Sequence, residues 1–256
     1  MQISPSAIAV LDKAYTVYAT RAFILNDPVA VAHQFSRKED IEISAFLTAI
    51  IAWGNRVSIQ NSAKKMLQLM DYTPYHYVSA GDFRNLTQQT FAHRTFNRDD
   101  FHFFVSALHT IYGQHGGLEG IFATAYRSSG SVMESINHFR EVFLETPHLR
   151  SSERHLAHPA SGSAAKRINM FLRWMVRTDR EGIDFNLWKG IPSSALICPL
   201  DIHSGRSARS LGLLTRKTND RKSAEELTAA LRRLDPEDPV KYDFALFSLS
   251  ERHYSF

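Results

Sequence analysis

One cysteine, Cys198, stands in a chain of 256 residues. It excludes an internal disulfide, fits a reducing compartment such as the cytoplasm, and cannot furnish a four-cysteine iron–sulfur cluster. No run of eighteen apolar residues occurs, so a membrane span is not expected. The opening Met1-Gln-Ile-Ser-Pro5 has neither the basic nor the apolar stretch of a signal peptide. There is no glycine-rich nucleotide fingerprint and no serine nucleophile elbow. The twelve histidines lack metal-ligand spacing. His148, His155 and His158 come nearest to a cluster but have no carboxylate or cysteine companions, so neither a metal nor a cofactor is expected. No period-two run is long enough for a sheet, no low-complexity linker divides the chain, and no repeat is present.

What remains is helical patterning. Ser4-Pro5 predicts a helix to about Thr20, with Ile8, Leu11, Tyr15 and Tyr18 on one face, and Asp27-Pro28 starts a shorter one. Residues 42–53 are too long and too apolar for a typical strand and read as a buried helix, broken at Gly54-Asn55-Arg56. A further helix follows from Ser58 to Met70, then short helices and loops from Pro74 to Asn97. Amphipathic helices are predicted at 99–112, 118–126 and 132–144, with Gly113 stopping the first. Ser223-Ala-Glu-Glu226 reads as a capping box opening a helix to Leu234, and Asp238-Pro239 opens the last one. The expectation is an all-α chain forming a single unit of two helical lobes.

The stretch from Pro159 to Leu214 carries the chemistry. Pro159-Ala-Ser-Gly162 is a turn leading into a helix from Ser163, on which Ile168, Phe171, Leu172 and Met175 make one buried stripe. Lys166, Asn169, Arg173 and Arg177 fall on another face. Near a helix start the macrodipole, together with Arg167, Arg173 and Arg177, disfavours an ammonium and favours the neutral amine of Schiff-base chemistry. A solvated basic face is the plainer alternative. Asp201 is an N-cap for a helix that Gly212 closes, and the apolar Ile197, Cys198 and Leu200 deliver it by a buried approach. A carboxylate brought in that way is costly to keep, which favours a task for it. Residues 140–233 hold seventeen Lys and Arg against ten Asp and Glu, and the rest holds thirteen against sixteen. A polyanionic partner follows from that asymmetry.

Leu200-Asp201-Ile-His203-Ser-Gly-Arg206 and the run to Leu214 resemble the helix-hairpin-helix DNA glycosylase superfamily. Its signature is a Pro-x-x-Gly hairpin, a nucleophilic lysine, and an aspartate in a Val/Leu-Asp-x-His-x-x-Arg string. The superfamily's lysine falls where this chain has Ala164, two residues before Lys166 and about 200° away around a helix. Lys166-x-x-Asn169, the longer connection to Asp201, and Tyr242-Asp243-Phe-Ala-Leu-Phe247 look more like the archaeal 8-oxoguanine glycosylase branch. The resemblance covers roughly residues 40 to 250, with residues 200–214 its specific part.

The resemblance implies a monomeric DNA glycosylase and AP lyase of the bacterial cytoplasm, associated with the nucleoid. It would remove an oxidised purine, 8-oxoguanine in the first place, from double-stranded DNA. Lys166 would be the nucleophile, and Asp201 would stabilise the cationic sugar and handle protons. The damaged base, flipped between the lobes, would meet Met170, Arg173 paired to Asp243, and Phe247 as a stacking ring. Trp53 or Asn55 would fill the gap left in the duplex; the plainer alternatives are a core role for Trp53 and Phe247 and a structural ion pair for Asp243. Arg56, Arg167, Arg206, His203 (as a positioner of its turn) and the backbone around Gly162-Ser163-Ala164 would serve the DNA contact. Two other classes stay open: a nucleic-acid-binding protein without chemistry, and a Schiff-base lysine acting on a small carbonyl compound.

Overall fold

A computed structural model describes residues 3–84, 86 and 90–252. In chain order its α-helices are α1 Pro5–Tyr18, α2 Phe23–Asn26, α3 Lys38–Ile50, α4 Arg56–Leu69, α5 Pro74–Ala80 and α6 Arg98–Gln114. They continue with α7 Gly117–Ser129, α8 Val132–Leu144, α9 Lys166–Val176, α10 Ile202–Ser210, α11 Arg221–Arg232 and α12 Asp243–Arg252. The mostly helical class is therefore as the periodicity predicts. The departure is a two-stranded antiparallel hairpin, β1 Ala92–His93 and β2 Phe96–Asn97, pairing Ala92 with Asn97 and His93 with Phe96. It falls in the segment expected to hold short helices and loops, part of which (85 and 87–89) lies outside the described residues.

The chain divides into two compact units: residues 24–157, and residues 1–23 together with 158–256. The first is built around α3, where every residue from Ile41 to Ile50 is buried. Its core is aromatic. Phe46 of α3 meets Phe104 of α6 and Phe139 and Phe143 of α8 with ring centroids 6.0, 5.5 and 5.8 Å apart. Each such ring contributes roughly 2–3 kcal/mol by burial. Glu42, buried on the same helix, survives there because Tyr112 donates to it at 2.6 Å. Gly113 does not end α6, which runs on to Gln114; an isolated glycine costs a helix only about 1 kcal/mol.

The second unit joins the N-terminal α1 to the C-terminal half. α1 packs on α12, and Tyr242 donates to Asp12 at 3.0 Å. α9 is the central helix, buried from Ile168 to Val176, with Phe171 edge-on to Trp188 at 5.4 Å. Residues 177–201 are largely irregular and wrap it, with the amides of Phe185 and Leu187 donating to the carbonyls of Trp174 and Met175. α11 begins at Arg221 under an Asp220 cap, not at a Ser223 capping box. The Ser223 hydroxyl donates instead to the Thr218 carbonyl at 2.6 Å. This unit holds eighteen Lys and Arg against thirteen Asp and Glu, whereas residues 24–157 hold twelve against thirteen. The basic surplus therefore belongs to the unit that carries Lys166 and Asp201.

Candidate active site

The turn before α9 differs from the expected helix start. Residues 159–161 form a 3-10 turn, Gly162 takes φ 92°, and the helix begins only at Lys166. Two contacts far along the chain hold the turn open. Ser163 bridges to Asp220, and the Arg221 amide donates to the Gly162 carbonyl at 2.8 Å. Ala165, buried, is left in the left-handed region at φ 51°, a conformation that costs a non-glycine residue of order 1–3 kcal/mol. Residues 164 and 165 are thus not helical, so the offset between Ala164 and Lys166 is not a rotation around a helix. Two of the three amides expected to grip phosphate are occupied. Gly162 donates to Pro159 at 2.9 Å and Ser163 to His158 at 3.2 Å.

Lys166 is the first residue of α9, and its Nζ lies 3.4 Å from Asp201 Oδ2. Both side chains are about one-third exposed, at 34% and 29%. Asp201 divides its labour. Oδ1 caps α10, accepting the amides of His203 at 2.8 Å and Ser204 at 2.9 Å, while the Asp201 amide donates to the Ser204 hydroxyl. Oδ2 is left to the lysine. Burial would push the Asp201 carboxyl up, but Lys166 and the two amides hold it below the usual carboxylate range.

The backbone of Asp201 is fixed as well. Asn219 donates to its carbonyl at 3.0 Å and in turn accepts from Arg209 at 2.7 Å. Asn219 reaches α10 only because position 205 is glycine: a Cβ there would stand 2.7 Å from its side-chain oxygen. Sequence reading did not single out Asn219, and nothing local to it signals the contact.

Beneath the pair lies a buried chain of charges. Arg173 is ion-paired to Asp243, as the resemblance implies, but it also donates to Asp184 at 3.3 Å and stacks 4.3 Å over Phe244. Arg177, one turn on, donates to the other oxygen of Asp184 at 2.9 Å, to Asp238 at 2.9 and 3.0 Å, and to the Tyr15 hydroxyl at 3.0 Å. Both guanidiniums are almost fully buried. Arg173 is therefore a prop behind Asp243 and not a group that a ligand can touch. Nor do Arg173 and Arg177 act on Lys166 as bare like charges, since each is matched by carboxylates. Asp243 keeps a narrow opening, its side chain 13% exposed. Burial pushes its carboxyl up to about 6, with Asp201 adding to the rise and Arg173 and Lys166 opposing it.

The remaining expected residues fall in several places. Met170 is buried one turn after Lys166, and Phe247 is half-buried, edge-on to Phe23 at 6.4 Å. His203 and Arg206 are exposed on α10. Arg167 is half-buried at the start of α9, and burial pulls its guanidinium down to about 10. Cys198 is fully buried, its thiol pushed well up by burial and by Asp243, which makes it unreactive. In the other unit, Asn55 caps α4 by accepting the Ser58 amide at 3.1 Å, and Arg56 opens that helix half-buried. Trp53 lies flat on His155 with ring centres 5.9 Å apart, and His155 is held by Asp100 at 3.2 Å. That stacking gives Trp53 a fixed plane of the kind a core aromatic has.

No group of His, Cys, Asp and Glu suited to a metal ion occurs among the described residues. No curated protein and no solved structure matches the chain. A family profile does match, over residues 27–252, and so spans both Trp53 and the Lys166–Asp201 pair. The chain belongs to the DUF2400 family, a family of proteins of unknown function.

Proposed function

We propose that this protein is a DNA glycosylase with AP lyase activity, built on a helix-hairpin-helix-like element, that removes an oxidised purine, 8-oxoguanine foremost, from double-stranded DNA. The observation that carries the reading is the 3.4 Å approach of Lys166 to Asp201, an amine and a carboxylate brought from two helix starts into a partly open position. The basic surplus of the same unit supports a polyanionic substrate, and the exposed His203 and Arg206 stand on the helix that Asp201 caps. In this reading Lys166, once deprotonated, attacks the sugar C1′ as the base departs. In the same reading Asp201 Oδ2, free of capping duty, offsets positive charge on the sugar and accepts a proton from the Lys166 nitrogen. The resulting Schiff base permits β-elimination at the 3′ side.

Borohydride trapping on a panel of lesion-bearing and abasic duplexes tests this. The expected result is a covalent adduct that digestion maps to Lys166. An adduct on Lys189, Lys217 or the N-terminal amine would overturn the assignment. Binding without any adduct would leave a nucleic-acid-binding protein that lacks chemistry.

A further inference from the structure

Around α9 four carboxylates share two guanidiniums. Asp179, Asp184, Asp238 and Asp243 all lie within ion-pair distance of Arg173 or Arg177. Neighbouring charges cancel in pairs: Lys166 with Asp201, and Lys241 with Asp235. Asp12 and Tyr15 of α1 approach through Tyr242 and Arg177 as hydrogen-bond partners, bringing the further carboxylate of Asp12 and no cation. Cys198 on the approach to α10 is a neutral thiol, and His203 lies in the first turn of that helix. Full ionisation would therefore leave this cluster with more carboxylate than guanidinium charge, with Asp243 13% and Asp238 23% exposed. A carboxyl in that position lowers the cost by keeping a proton. Asp184 and Asp179 are poor holders: each accepts several donors, Asp184 from both guanidiniums and Asp179 from the amides of Glu181, Ile183 and Asp184. Asp243 and Asp238 remain, and burial raises both. Of the two, Asp243 is the one whose carboxyl feels the charges of Lys166 and Asp201, and it stands at the start of α12, which packs on α10.

We propose that Asp243 is the acid of the site, which protonates the departing base, and that Asp184, which shares Arg173 with it, is a positioning residue that keeps the proton on it. The inference rests on the glycosylase reading above. The Lys166 nitrogen bonds to C1′, and the glycosidic C–N bond breaks with its electron pair left on the base. Asp243 gives its proton to the base and becomes a carboxylate, while the aminium nitrogen of Lys166 loses a proton to Asp201. Starting from the deprotonated amine, one acid and one acceptor serve these two proton movements; the proton that first leaves the Lys166 ammonium goes to water.

The test is a titration of the full-length protein carrying 13C-carboxyl aspartate, with the Asp243 signal assigned by its loss in Asp243→Asn. The midpoint is expected near 6, and the single-turnover excision rate should fall as pH rises through that midpoint. In Asp243→Asn the fall should vanish and the rate drop by ~10²–10⁴-fold, the usual worth of a general acid. Should that variant fail to fold, Asp184→Asn removes one buried negative charge and should move both the wild-type midpoint and the falling limb to lower pH. A midpoint at the ordinary aspartate value, or one unmoved in Asp184→Asn, overturns the proposal. Trapping of an abasic duplex by the wild-type protein, a step with no base to protonate, reports on Lys166 alone. An adduct with an ordinary Asp243 midpoint refutes the acid and leaves the Schiff-base reading standing. No adduct refutes both.

Discussion

Asp184→Ala should cost far more stability than its place in an irregular polar loop suggests. The Asp184 carboxylate is fully buried and gives one oxygen to Arg173 and the other to Arg177. Removing one member of a buried ion pair leaves the partner's charge uncompensated, typically at about 3–5 kcal/mol. Two features pull the value to the low end. Arg173 keeps Asp243 and Arg177 keeps Asp238, and the deletion removes one of four carboxylates competing for two guanidiniums. About 3 kcal/mol is therefore expected, or roughly a 10 °C fall in Tm for a unit of this size. Lys241→Ala is the control. Its pair with Asp235 is 22% and 25% exposed and should contribute under ~1 kcal/mol. Thermal or urea denaturation of both variants gives the comparison. Equal shifts would mean that water reaches the charge chain and that its burial has no energetic weight.

Asp201→Asn keeps a capping oxygen, so stability should change by less than ~1 kcal/mol, while excision should fall by ~10²–10³-fold if the carboxylate supports a cationic sugar; a near-wild-type rate would reduce Asp201 to a cap. Lys166→Gln should abolish the borohydride adduct and retain duplex binding, read by anisotropy; an adduct that persists would place the nucleophile elsewhere. Asp243 takes up its proton more readily folded than unfolded, so its contribution favours folding at low pH and is lost as pH rises from about 4 to about 6. Denaturation at several pH values should show that decline in the wild type and not in Asp243→Asn, whereas a parallel decline in both would exclude Asp243 as its source. Gly205→Ala should push Asn219 off the Asp201 carbonyl, costing ~1–3 kcal/mol by overcrowding; unchanged melting would show that Asn219 moves without penalty.

The helices were legible because their signals are local. The apolar run ending near Trp53, the Asp201 cap with Gly212 beyond, and the buried stripe of α9 each appear within a dozen residues. The pairing of Arg173 with Asp243 was legible only through the resemblance. What could not be read depends on distant contacts. Ser163-Ala164-Ala165 has good helix formers, yet it stays out of α9 because the start of α11, more than fifty residues later, holds Gly162 and Ser163. Ser223 looked like a cap because Glu226 follows three residues on. Asp220 took that role instead, with Arg216 and Thr218 fixing its carboxylate. Asp184 left no trace at all. It lies in a segment without periodicity, and only the folded chain shows two guanidiniums converging on it.

These misreadings bear on how the Lys166–Asp201 pair is built. A lysine one turn inside a regular helix would share its orientation with the residues around it. A helix that begins at Lys166, after a left-handed Ala165, lets the entering chain set the direction of the first turn. Asp201 is likewise the last residue before a helix, and its Oδ1 is spent on the cap, so only Oδ2 faces the amine. The two groups meet because two helix starts meet, and neither start is self-sufficient. One is held by α11, and the other by Asn219 across Gly205. The buried charges around Arg173 and Arg177 lie behind them, joining α9, the loop at Asp184 and the first turn of α12. Helix starts held this way fix the backbone of both residues, which is the condition that the nucleophilic role proposed for Lys166 would require.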